Sequence, residues 1–101
     1  MSYGFAVAPR AASQIRAAAR WWRQNRPKAP SALIDDLESA YDLIQSLPNA
    51  GEPVFHTTNP ELRRVYLGRI RYHLYYSVNH DSKIVEVLAL WHASRGSAPP
   101  I

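Results

Sequence analysis

An apolar run near the C-terminal end, "LALWHASRG" (88–96), carries straight into Trp91, His92 and Arg95. A histidine and an arginine three residues apart, closing an otherwise buried-looking strand, can hold an anion and move a proton. Upstream, "RRVYLGRIRYHLYY" (63–76) contributes Arg63, Arg64, Arg69 and Arg71 with no acid from 63 to 71. Arginine's planar fork matches the oxygens of phosphate and carboxylate. His73, His92, Tyr66 and Tyr75 are the candidate proton carriers. Metal-free RNA cleavage needs these parts: cations on the phosphate and a carrier for the 2′-hydroxyl and leaving-oxygen protons. The same residues also suit a surface that only binds an anion. Plainer roles exist for each. His73 reads as an exposed strand residue, His92 as a group closing a sheet edge, the arginines as solubilising charge, and Tyr66, Tyr72 and Tyr76 as core. Trp21 and Trp22 are adjacent, so one helix face cannot bury both; Trp21 is expected under a linker or against a partner. Histidines 56, 73, 80 and 92 lack ligand spacing on one element, so no metal site and no cofactor are expected.

Positioning these residues requires a particular set of elements. Residues 2–8 alternate loosely and read as a first strand. Pro9 suits the first turn of a helix, on which Ala12, Ile15, Ala19 and Trp22 form a stripe opposite Arg16, Arg20 and Arg23. "RPKAP" (26–30) ends it. Ser31 is the expected N-cap of a second helix striped by Leu33, Leu37, Ala40, Tyr41, Ile44 and Leu47, ended at Pro48. Strands are expected at 62–68 and 70–78, and, after a turn at 79–82, at 83–92. This last strand is apolar on both faces except at Glu86, as in a strand covered on both sides. The order is β-α-α-β-β-β: one α+β domain spanning 1–101, with a helical hairpin on a mostly antiparallel sheet. Pairing 78 with 83 sets Arg71 opposite Leu90 and Arg69 opposite His92, on the face of His73 and Tyr75. A one-residue slip moves His92 to the other face.

Bulk properties narrow the class. The 101 residues are 47% hydrophobic, enough for one modest core. There is no apolar run long enough to span a bilayer and no recognisable signal peptide. Cysteine is absent, which excludes disulfides and thiolate chemistry and suits a reducing cytoplasm. The net charge is +4, and ten of the twelve bases are arginine. Six bases occupy 10–28 without an acid, and four acids occupy 35–42 without a base; these blocks can neutralise each other. No acidic block remains for the arginines of 63–71.

The element order, the arginine-bearing "RRVYLGRIRYHLYYSV" and the ending "VEVLALWHASRG" together resemble the RelE/ParE toxins of bacterial toxin–antitoxin pairs. The resemblance covers essentially the whole chain. It implies a small toxin neutralised by a cognate antitoxin, a small DNA-binding protein with an acidic amphipathic tail, in a hetero-oligomer with no membrane involvement. RelE-like members cut messenger RNA on the ribosome, and ParE-like members poison DNA gyrase. In the nuclease case, His92, Arg95 and His73 would be catalytic. In either case, Arg63, Arg64, Arg69, Arg71 and Trp21 would bind target or antitoxin. RelE-like enzymes also carry lysines on the middle strands and a C-terminal tyrosine. Both are missing here, which favours the ParE-like reading.

Overall fold

The computed structural model describes residues 2–101. Its order is β1 (Gly4–Val7), α1 (Pro9–Asn25), α2 (Ala32–Ser46), β2 (Glu52–Pro53), β3 (Leu62–Leu67), β4 (Tyr72–Asn79) and β5 (Ile84–His92). Pro9 stands in the first turn of α1, where its missing N–H costs nothing. The helix buries Ala11, Ala18 and Trp22 and turns Arg16, Arg20 and Arg23 to solvent. Trp22 locks the α1–α2 linker by donating its indole N–H to the Ala29 carbonyl at 2.7 Å. In α2, Leu33, Leu37, Ala40 and Ile44 are buried. Ser31 stands at the N-cap as expected, though in a helical conformation and without a side-chain capping bond, whereas Leu47, expected on the apolar stripe, closes α2 exposed.

The five strands form one mixed sheet in the order β1-β5-β4-β3-β2. Only β1 is parallel to its neighbour, Gly4 facing Ile84 and Val7 facing Val87. Both helices lie on one face, over Leu74, Tyr76, Val78, Val85, Val87 and Leu90. The opposite face carries Leu62, Tyr75 and Ala89, covered by Val54, Trp91 and Ile101. Strand β5 is therefore interior and covered on both sides, as its uninterrupted apolar run requires. The back-face cover is the C-terminal tail. Trp91 donates its indole N–H to the Ser97 carbonyl, Arg10 donates to the Pro100 carbonyl, and the His56 ring bonds the Ile101 oxygen.

The strand pairing differs from the expected one in three respects. Residues 68–71 form a turn, so Arg69 and Arg71 leave the strand; Arg71 adopts φ 64°, and the chain closes with the Arg71 N–H on the Leu67 carbonyl. At the other end Asn79 faces Ile84, and Lys83 takes φ 57°. Asn79 organises that loop by accepting the N–H groups of Asp81 and Ser82. Finally, Tyr75 pairs with Ala89 but Tyr76 with Val87, which leaves Leu88 as a bulge. His92 consequently pairs with Tyr72, and Trp91 with His73. The expected Arg69–His92 and Arg71–Leu90 pairs do not form.

Candidate functional site

The end of β5, the 68–71 turn and the C-terminal end of α1 enclose a cleft of about 650 Å³. Trp21, Trp22, Arg26, Arg69, Ile70, Arg71, Tyr72 and His92 line it. Each is delivered for a structural reason. The α1 stripe buries Trp22, so its neighbour Trp21 must face outward, and it is 45% exposed. Arg26 closes α1, its guanidinium 5.2 Å from the Trp21 ring centroid and 5.8 Å from that of Trp22. The left-handed conformation of Arg71 ends the turn.

The arginines have unequal freedom. Arg69 makes a two-point pair with Asp36 of α2, at 2.6 and 3.1 Å, and Asp36 holds its guanidinium more firmly protonated. Arg64 pairs with Glu52 on β2 and also donates to the Tyr75 hydroxyl at 3.2 Å; both contacts raise its pKa. Arg63 donates to the carbonyls of Asn49 and Gly51. The third basic block is thus partly answered by Asp36 and Glu52, contrary to expectation, while the first two blocks do not pair with each other. Arg71 and Arg26 have no carboxylate partner among the described residues. Arg95 packs on Trp91, 4.0 Å from the ring centroid.

The histidines part company. His92 turns to the helix side, edge-on to Tyr72 with ring centroids 5.0 Å apart. Its Nδ1 accepts the Ser94 N–H at 3.1 Å and meets the Ser94 hydroxyl at 2.6 Å. The neutral ring then carries its proton on Nε2, which makes it a donor to an anion rather than a base. His73 lies on the back face between Tyr66 and Tyr75, with centroids 5.1 and 6.1 Å away. Burial lowers its pKa, the Arg64 charge lowers it further, and Glu52 partly offsets both. Its Nδ1 is buried without a partner. Burial also keeps the Tyr72 phenol protonated, although Arg95 opposes this. The structure therefore brings Trp21, Arg69, Arg71 and His92 together at this cleft, and it gathers His73, Arg64 and Arg95 round a smaller cavity on the back face that His92 also borders; Arg63 is engaged by a loop.

Reading the sequence missed Arg26, Tyr72 and Glu52. Arg26 had a signal, a base four residues after Trp22, on the same helix face. Among the described residues no group of His, Asp or Glu could hold a metal, and no helix is long and apolar enough to cross a membrane.

Residues 5–96 match the family described as the ParE toxin of the type II toxin–antitoxin system parDE. The chain belongs to the ParE toxin family. No curated protein matches the sequence of this ParE-family chain. Its fold is shared with solved toxins. A chain of the chromosomal ParDE toxin–antitoxin system of P. aeruginosa has TM-score 0.72 and 16% identity, over 92% of this chain and 98% of that one. The RelBE2 toxin–antitoxin complex of Mycobacterium tuberculosis gives TM-score 0.63 and 17% identity, over 91% and 99%. The intact E. coli RelBE complex gives 0.62 and 17%, over 93% and 100%. At such identities the likeness is one of fold, common to ParE and RelE toxins, and the site must distinguish target from target.

Proposed function

We propose that this toxin arrests growth by binding DNA gyrase without catalysing a reaction, and that a cognate antitoxin holds it in check. One observation carries the non-catalytic reading: His92 pairs with Tyr72 and His73 with Trp91, so the two rings turn to opposite faces of the sheet, although both border the cavity beside Arg64 and Arg95. Acid–base catalysis needs the carrier within hydrogen-bond reach of the proton it moves. His92 has its Nδ1 lone pair engaged by Ser94 and so offers no free base, and His73 lies between Tyr66 and Tyr75. What remains open to a large partner is a cationic rim with an exposed tryptophan, Arg26, Arg71 and Trp21, the residue types that dominate binding hot spots. The antitoxin is expected to lay an acidic amphipathic segment over the exposed apolar residues Phe5, Ile34, Leu43 and Leu47.

The experiment is inducible expression of variants in a bacterium, combined with a supercoiling assay on purified gyrase. His92→Ala and His73→Ala should leave growth arrest largely intact. Arg71→Asn should weaken both arrest and gyrase inhibition, by roughly 1–3 kcal/mol of binding if the guanidinium bonds a charged group. Fresh message ends within codons on translating ribosomes, lost in His92→Ala, would overturn this reading in favour of a RelE-like endonuclease.

A further inference from the structure

The chemistry of the cleft is more specific than a generic cationic rim. Two guanidiniums without carboxylate partners, Arg26 and Arg71, flank it, while the third, Arg69, is neutralised by Asp36. His92 adds an Nε2–H donor, because its Nδ1 is occupied by Ser94. Beside these donors stands Trp21, 45% exposed on a helix. Trp22 and Trp91 use their indole N–H groups on the Ala29 and Ser97 carbonyls, whereas the Trp21 ring meets the Arg26 guanidinium and, tilted, the Trp22 ring. Fixed donors for a dianion next to a flat aromatic surface are the two halves of a phosphate-bearing base. The volume, about 650 Å³, lies within the usual range for small-ligand sites. An inorganic anion would leave the tryptophan unused, and an aliphatic acid would leave it exposed to water.

We propose that this cleft binds a nucleotide, its phosphate on Arg71, Arg26 and His92 and its base stacked on Trp21. The site is formed by the toxin alone and does not depend on which macromolecule the toxin arrests. The nucleotide has two possible sources, a free nucleoside phosphate or one residue of a single strand.

The test follows the indole N–H signals of the intact, labelled chain by NMR during titration with adenosine 5′-monophosphate, a short single-stranded oligoadenylate, inorganic phosphate and an acidic peptide of matched charge. The expected result is a saturable shift of the Trp21 indole with either adenine ligand. Arg71→Asn, read at the Trp21 indole, and Trp21→Ala, titrated by calorimetry, should each weaken binding about tenfold. Asparagine tolerates the left-handed backbone at 71, so that variant keeps the turn. Both residues are exposed, and an unchanged spectrum elsewhere confirms folding. Equal affinity for the mononucleotide and the strand supports the proposal with a free nucleotide as source; an oligonucleotide at least tenfold tighter supports it with a strand as source. Absence of a Trp21 response to both adenine ligands overturns it. So does an acidic peptide or inorganic phosphate that shifts Trp21 as strongly as the mononucleotide does.

Discussion

His73 is a side chain whose burial bears directly on stability. Its Nδ1 is buried and unpaired, and its ring sits between two tyrosines beside Arg64. The folded pKa lies below histidine's ordinary 6.5, so the native state binds fewer protons than the unfolded one. Stability should be complete above about pH 6.5 and should fall as the pH drops from there through the folded pKa. His73→Phe keeps a flat aromatic ring, slightly larger than imidazole, and removes the unpaired nitrogen. It should stabilise the protein by about 1 kcal/mol at pH 7.5 and flatten the decline toward pH 5. Urea midpoints of both proteins at the two pH values measure this; parallel declines would refute the assignment. Lys83 is the second telling residue. Its φ of 57° costs an L-residue roughly 1 kcal/mol, which glycine does not incur. Lys83→Gly should therefore raise the melting temperature by a few degrees, and a drop would show that the lysine side chain matters to the loop.

At the level of elements, the helices were readable and the sheet register was not. Helix α1 follows from Pro9, the alanine-rich stripe and the stop at "RPKAP"; nothing in the tertiary structure competes with those signals. The strands were also placed in order, because their apolar faces alternate. Their register depends on two left-handed residues and one bulge, none of which involves a glycine that would announce it. The loop after Asn79 shifts the pairing by two residues, which leaves every side chain on its face. The bulge at Leu88 adds one more, and that single residue turns His92 over to the helices. Short β2 escaped notice because two residues have no period. It matters through Gly51, just before it. The N–H of Gly51 donates to the Tyr76 hydroxyl at 2.9 Å, and that hydroxyl donates to the Pro48 carbonyl at 2.7 Å. A Cβ on Gly51 would come within 2.7 Å of the Tyr76 oxygen and 2.8 Å of the Arg64 carbonyl oxygen. Gly51→Ala should cost about 2–3 kcal/mol, read as a lower urea midpoint at an unchanged slope.

For the molecule as a whole, charge is the property that reaches furthest. The net +4 is carried mostly by exposed arginines of α1 that have no acidic partner among the described residues. An acidic antitoxin should be drawn in at a rate that falls severalfold between low and high salt, with dissociation less affected. Stopped-flow association at 20 and 500 mM salt, between which the Debye length shrinks roughly fivefold, tests this. A salt-independent rate would mean that apolar contacts alone guide the encounter.

The parallel pairing of β1 with β5 also sets a timetable. Gly4 leaves the ribosome about 80 residues ahead of Ile84, its neighbour in the sheet. At a synthesis rate of roughly 5–20 residues per second, several seconds separate the two. Helix α1 waits as well, since the apolar surface it covers includes Val85, Val87 and Leu90. A half-made chain therefore has helices but no finished sheet, and the cleft, which needs His92, does not yet exist. An antitoxin already present therefore has the whole of that interval before the cleft is complete.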